Sequence, residues 1–415
     1  MLKKAMNKSE NKILIMLAIF SISMGLWENF RQLWLEDNSF SAINISNILS
    51  IGTIASVVGI MFVGKYIKIS KLKDLVTYSL IIKFLNLVLI FYLNNKGLTN
   101  LINICMIIDI LTGYLVTTSI YPLLTTIVKN NIIYSRRKLT EYLFKDIGIL
   151  VGGLIIGRNI LGVFVNYNMC LLISIVFLII SIIVIVSIPK PVDIDNKKTN
   201  SIIEYIAKSK IQRVYIIYTF IGAAAMSTAL GLKMLMLTNY FKFTDTQAIN
   251  YLLIVGLLSD IVGIFALKYL TPKNDYITIT IKFGIRFTAY LIAFISNNIT
   301  ISIIATTWSI LISTSYENIC DGYYINMIPN KYQLTFTNFR YAIRYLGEAS
   351  GIFLCGLMYK LGLRYMFGLS SLILFFQITL AYYLIYLRKT KSIKNLSTEK
   401  ENANLEELNE QPIET

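Results

Sequence analysis

Twelve stretches of about 20 mostly apolar residues follow one another along this chain, and each is long enough to cross the hydrocarbon layer of a bilayer as a helix. They fall at about 13–35, 43–63, 75–93, 99–128, 139–160, 164–188, 214–238, 247–267, 276–296, 299–328, 339–359 and 363–387. Lipid offers the backbone no hydrogen-bonding partner, so each span has to satisfy its own N–H and C=O groups as a helix. The expected fold class is therefore an all-α polytopic membrane protein. Composition agrees: 55% of residues are hydrophobic, 15% are charged and the mean hydropathy is +0.63, far from the balance of a soluble domain.

A net charge of +16 would suggest nucleic acid as a partner for a soluble protein. Here the lysines and arginines crowd into 1–12, 64–74, 129–138, 190–213 and the tail, whereas the alternate loops hold Lys96, Arg158, Lys242, Lys360 and Arg364. This is the positive-inside pattern. It places both termini in the cytoplasm, puts the chain in the plasma membrane and removes the need for nucleic acid. Cys105, Cys170, Cys320 and Cys355 all lie in apolar stretches, so neither a disulfide framework nor a CxxC metal site is indicated. The chain has no histidine, so a proton relay has to use carboxylates; no metal and no cofactor are expected. The N-terminal "MLKKAMNKSENK" reads as the start of an uncleaved first helix, since no small-residue cleavage site follows. Pro122, Pro189, Pro191, Pro272 and Pro329 sit at expected span ends, which leaves flexing to glycine.

The spans repeat. "RKLTEYLFKDIGILVGGLIIGR" from Arg137 shares its skeleton with "RYAIRYLGEASGIFLCGLMYK" from Arg340: an offset of 203 pairs Tyr142 with Tyr345, Gly148 with Gly351 and Gly153 with Gly356. An offset of 204 pairs Gly52 with Gly256 and Gly59 with Gly263, and Lys83-Phe84 lines up with Arg286-Phe287 at 203. The economical account is two related six-helix bundles, 1–189 and 214–388, joined by a polar linker at 190–213 and followed by a polar tail at 389–415 expected to be disordered.

Twelve spans, a six-plus-six repeat and a polar central linker together resemble the major facilitator superfamily of secondary transporters. The resemblance covers about 13–388 and is architectural. In the family's Gly-x-x-x-Asp-Arg-x-Gly-Arg-Arg loop between spans 2 and 3, this chain reads "GKYIKISKLKD": Gly64 is kept, but Lys68 stands where the acid belongs and Ile69 where the arginine belongs. The Gly-Pro-x-x-Gly-Gly string of the family's drug exporters is matched by "GILVGG" at Gly148, Gly152 and Gly153, with Ile149 in place of proline. The resemblance implies that spans 1, 4, 7 and 10 line a central cavity flanked by 2, 5, 8 and 11.

An ionised group at mid-bilayer costs roughly 2.5–3.5 kcal/mol on insertion scales, so each one retained there is a functional candidate. Glu28 and Arg31 are three residues apart on one expected helix face, as substrate contacts or as a self-neutralising pair. Asp109 stands alone near mid-span, where a carboxylate without a fixed cation would trade protons; the alternative is a structural partner such as Lys145. Glu317 and Asp321, four residues apart, would share protons, and Asp260 completes the acidic set. Lys145 and Arg344 are expected to touch the solute. Glu141, Asp146, Arg340 and Glu348, with Gly148, Gly152 and Gly153, are expected to gate, either as bridges between the halves or as static intrahelical pairs. Lys233 reads better as a cation reaching the membrane surface. Lys83 and Arg286 occupy equivalent places and are set aside as structural.

The reading is a proton-coupled secondary transporter of a small organic solute, acting as a monomer and leaning to efflux by proton antiport. Its rivals are a proton-driven importer of a charged or zwitterionic nutrient and a non-transporting sensor or assembly protein. Nothing matches the motifs of an enzyme.

Overall fold

The computed structural model describes the backbone of residues 2–67, 69–94, 96, 98–127, 132–157, 163–189, 206–269, 275–296, 298–311 and 330–409. The first half is built from α1a (Leu2–Trp27), α1b (Arg31–Asp37), α2 (Ala42–Tyr66), α3 (Leu72–Asn94), α4 (Thr99–Ile127), α5 (Ile132–Gly157) and α6 (Val163–Val186). The second contains α7a (Lys210–Leu230), α7b (Lys233–Leu235) with a π turn (Met236–Tyr240), α8 (Asp245–Tyr269), α9 (Asp275–Ser296), α10 (Ile299–Leu311), α11 (Asn330–Leu361) and α12 (Leu363–Asn409). Seven segments among the described residues are long and apolar enough to cross a membrane on their own, and Phe283–Ser296 and Ile299–Leu311 are shorter apolar helices.

The surface inverts the rule for water-soluble proteins, in which charges face out. Val58, Phe62, Tyr78, Leu85, Ile183 and Ile295 are exposed, whereas Arg31, Lys83, Asp109, Arg286 and Arg340 are buried. Lipid is the solvent such a surface fits.

Packing follows the sequence repeat. α1 lies against α5 and α6, and its equivalent α7 lies against α11 and α12. The halves meet along two seams, α2 with α11 and α5 with α8. The offset that maps α2 onto α8 also maps α11 onto α5, so each seam is the counterpart of the other.

Glycine makes both joints possible. A Cβ on Gly148 would strike the Ile22 carbonyl and lie 3.0 Å from the Cα of Gly25, so α1a and α5 cross backbone to backbone. At the equivalent place a Cβ on Gly351 would strike the Ala224 carbonyl and lie 3.0 Å from the Thr228 nitrogen. One turn later each helix turns a second glycine to the opposite half: a Cβ on Gly153 would come 2.7 Å from Ile249, and one on Gly356 would strike Ser46.

Helix ends are satisfied locally. Ser41 caps α2 by accepting from the Asn44 N–H at 3.3 Å, and Ser209 caps α7a through Gln212 at 3.4 Å. At the C-terminal end of α6, Lys12 donates to the Ser187 carbonyl at 3.1 Å and Lys73 to the Val186 carbonyl at 3.0 Å, placing cations where the helix dipole favours them.

Three expectations change. α7a begins at Lys210, inside the segment read as linker. α12 continues to Asn409, where a disordered tail was expected. Lysine, glutamate, leucine and alanine in that tail are strong helix formers, and a polar composition alone does not forbid a helix already nucleated by the preceding span. Pro122 lies inside α4 rather than at its end, near enough to the C-terminus for only the last turns to feel it.

Candidate functional site

The site starts from two interrupted helices. α1 breaks at residues 28–30 and α7 at 231–232, and Glu28 and Gly231 are related by the offset of the repeat. A broken helix leaves backbone groups unpaired in the middle of a bundle, and those groups need partners. Gln32, just past the first break, supplies them for the second: its Nε2 donates to the Gly231 carbonyl at 3.0 Å, and its Oε1 accepts from the Met234 N–H at 3.2 Å. One carboxamide thus ties the two halves together at their interruptions. Phe30, inside the first break, has room only because Gly152 on α5 carries no side chain where its ring lies.

Charges gather beside the breaks. Asp109 on α4 is fully buried and accepts from Trp27 Nε1 at 3.1 Å, from Arg31 at 3.1 Å and from the Nζ of Lys83. Lys83 also donates to the Asp109 backbone carbonyl at 3.1 Å. Lys145 on α5 pairs with Glu28 at 2.9 Å. Gly113 separates these two ion-pair systems: a Cβ there would stand 3.4 Å from the Lys83 nitrogen and 3.6 Å from Glu28 Oε1. Across the seam, Tyr114 donates to Glu348 Oε1 at 3.0 Å and its ring centre lies 4.3 Å from that of Tyr345. Lys233 opens α7b and is half-buried, between the Gly231 carbonyl and the Met234 N–H that Gln32 holds.

At the end of the bundle that carries α1b, further bonds join the halves. Asn239 donates to Glu36 at 2.6 Å, Tyr167 donates to Asp245 at 2.7 Å, and Ser50 donates to the Ala349 carbonyl at 2.8 Å.

No family model matches the sequence, and no curated protein does. Solved structures do. The nucleoside transporter NupG aligns over 91% of this chain and 99% of its own, with a TM-score of 0.68 at 11% identity. The E. coli fucose:proton symporter FucP aligns over 90% and 98%, with a TM-score of 0.65 at 13% identity. A bacterial homologue of the human lysosomal transporter Spinster, inward-facing and occupied, aligns over 92% and 97%, with a TM-score of 0.67 at 10% identity.

This is the major facilitator fold. Its twelve spans, in two pseudo-symmetric six-helix bundles, account for the offset seen in the sequence and for the paired seams.

Within the major facilitator frame the expected residues are distributed as follows. Glu28 and Arg31 do not neutralise each other, because the break between them sends Glu28 to Lys145 and Arg31 to Asp109. Asp109 is not a solitary carboxylate, and its partners are Arg31 and Lys83 rather than Lys145. Glu141 pairs within α5, with Arg137 at 3.3 Å, and Arg340 lies over the rings of Tyr215 and Tyr341 at 5.8 and 5.7 Å. Arg344 lies one turn before Glu348 on α11. Asp146 faces Gly256 on α8, whose Cβ would come 3.4 Å from its carboxylate. Gly148, Gly152 and Gly153 are packing points for α1a, Phe30 and α8. Asp260 lies on α8; its side chain, like all of Glu317 and Asp321, falls outside the described residues.

Lys83, set aside as structural on its symmetry with Arg286, has its amine on Asp109 within the charge cluster. An unpaired acid in one span and an unpaired base in its short-loop neighbour was the signal that would have joined Lys83 to Asp109. Lys233, read as a cation reaching the membrane surface, is half-buried directly after the α7 break. Gln32 and Tyr114 carried no charge and so drew no attention in the sequence, where Trp27 reads only as an interfacial residue beside Glu28.

Proposed function

We propose that the chain is a proton-coupled secondary transporter, moving a small organic solute through the plasma membrane by alternating access with both termini in the cytoplasm. The observation that carries the reading is the meeting of two symmetry-related helix breaks beside a mixed-sign cluster at the middle of the bundle. Discontinuous spans at equivalent positions of two repeats are where such proteins build solute and ion sites. Glu28, Arg31, Lys145 and Arg344 are the proposed solute contacts.

Proton exchange falls to Asp260, Glu317 and Asp321, joined by Glu348, whose phenol partner Tyr114 belongs to the other half and would leave when the halves part. Asp109, with three donors already on it, serves better as the anchor of Arg31 and Lys83 than as a proton carrier. Gating would fall to the contacts that join the halves, Tyr114 with Glu348 and Gln32 with the α7 break. The glycines that suggested efflux by antiport each have a packing neighbour. A second reading, import by proton symport, is favoured by the likeness to a fucose:proton symporter.

The test is flux in liposomes holding the purified protein, under pH gradients of either sign and with a panel of labelled sugars, nucleosides, amino acids and carboxylates. Gradient-driven accumulation abolished by an uncoupler is expected. Accumulation indifferent to the uncoupler would remove the proton from the mechanism, and the sign of the productive gradient separates efflux from import.

A further inference from the structure

The transporter reading leaves one cation unassigned. Lys233 is the first residue after the α7 break and is half-buried inside the bundle. Among the described residues no carboxylate lies within ion-pair distance of its amine. Gln32, one turn after Glu28, holds the Gly231 carbonyl and the Met234 N–H on either side of Lys233, and Glu28 holds Lys145 at 2.9 Å, so the two amines come to the same pair of breaks from opposite halves. Every other cation of the cluster has an acid to hand. Arg31 and Lys83 share Asp109, Lys145 holds Glu28, and Arg344 lies one turn from Glu348.

Charge counting sharpens the point. Among the described residues around the breaks stand Arg31, Lys83, Lys145, Lys233 and Arg344 against Glu28, Asp109, Asp146 and Glu348, with Glu141 paired to Arg137, so one positive charge is left over among them. An ammonium kept inside a membrane bundle without a counter-charge is costly, and so is holding a second ammonium against it. An anion placed between the two would relieve both costs.

Resting on the transporter reading, we infer that Lys145 and Lys233, one from each half, form the binding site for the oxyanion group of a monoanionic organic solute. The solute's charge supplies the missing partner of Lys233 and draws α7b towards α5. Lys145 turns partly from Glu28 to share the anion. Empty, the two amines repel; loaded, they are bridged. Substrate occupancy is thereby tied to the approach of the halves, through contacts that differ between the states, as a ligand-driven shift requires.

The experiment is a thermal-unfolding screen of the detergent-purified full chain at fixed ionic strength. The probes are benzoate, acetate, octanoate and inorganic phosphate, with benzamide and benzylamine as neutral and cationic matches and sodium chloride as the ionic control. At least one carboxylate or phosphate should raise the midpoint, with the amide, amine and chloride inactive; the arm that responds identifies the oxyanion. Lys233→Gln should weaken that response by roughly 10–100-fold in apparent affinity, the loss of one charge-assisted contact. Lys145→Gln should weaken it less, because Glu28 already shares that amine, whereas Lys233→Arg and the surface control Lys96→Gln should retain it. Lys233→Gln should also unfold no earlier than the parent without ligand, since it removes an uncompensated charge. A response that survives in Lys233→Gln, stabilisation by the amide or amine instead, or indifference to every anion overturns the inference. Flux of a neutral solute in liposomes together with any of these results would leave the transporter reading standing and the anion site refuted; absence of flux for every solute would refute the transporter reading instead.

Discussion

In the first half Asp109 collects Arg31, Lys83 and Trp27, so both buried cations around it have a counter-charge, although Arg31 Nε has no hydrogen-bond partner among the described residues. In the second half Lys233 stands half-buried with no ion pair among the described residues, and Arg286, at the place equivalent to Lys83, is 3% exposed with its Nε and one terminal nitrogen unpartnered there. The two halves share a backbone plan, down to the glycines at Gly148 and Gly351, but divide the charges unequally. Duplication copies the joints because joints depend on shape, and shape is preserved by small residues. Charges are free to diverge once one half alone can hold the neutral anchor. The first half is then the electrostatically closed partner and the second the one that needs something from outside itself.

The largest test of this contrast is Asp109→Asn against Arg286→Gln. Removing the shared acceptor strands two buried cations and should cost about 3–5 kcal/mol, read as a fall in the thermal-unfolding midpoint and in yield. Arg286→Gln should cost much less. Equal losses would mean that both halves are closed networks and would break the comparison.

Next in size is the pair Gly148→Ala and Gly351→Ala. Each new methyl meets a backbone carbonyl of a neighbouring helix, so each should destabilise by about 1–3 kcal/mol, and the two by similar amounts. A loss confined to one variant would show that the matching joints do not bear equal loads.

The smallest effect is expected for Gln32→Leu, which removes two cross-half hydrogen bonds worth about 1 kcal/mol each. Disulfide formation between cysteines placed at Glu36 and Asn239 would report it, falling roughly ten-fold as that end opens more often. Unchanged cross-linking would mean that Gln32 fills the break without holding it shut.

Much of the architecture was legible because lipid permits few solutions: long apolar runs must be helices, and a glycine repeat must be close packing. Legibility failed where a reading assumed an unbroken helix. Glu28 and Arg31 share a face only if residues 28–30 continue the spiral; the turn there sends them to different partners. It failed again where symmetry was taken to imply sameness, as with Lys83 and Arg286. Lys233 was misjudged because its depth depends on the break before it, which no residue type announces: Gly231 resembles any packing glycine. The continuation of α12 was hidden because polar composition speaks to solvation and not to backbone geometry.

The second glycines of α5 and α11 have a further consequence. Gly153 leaves room for one methyl of Ile249 and Gly356 for the hydroxymethyl of Ser46, so at both places the bundles touch through one small group seated against bare main chain. Surfaces of that kind can roll. Under the alternating access proposed above, these two bare patches of main chain are where one bundle turns on the other against the smallest steric barrier.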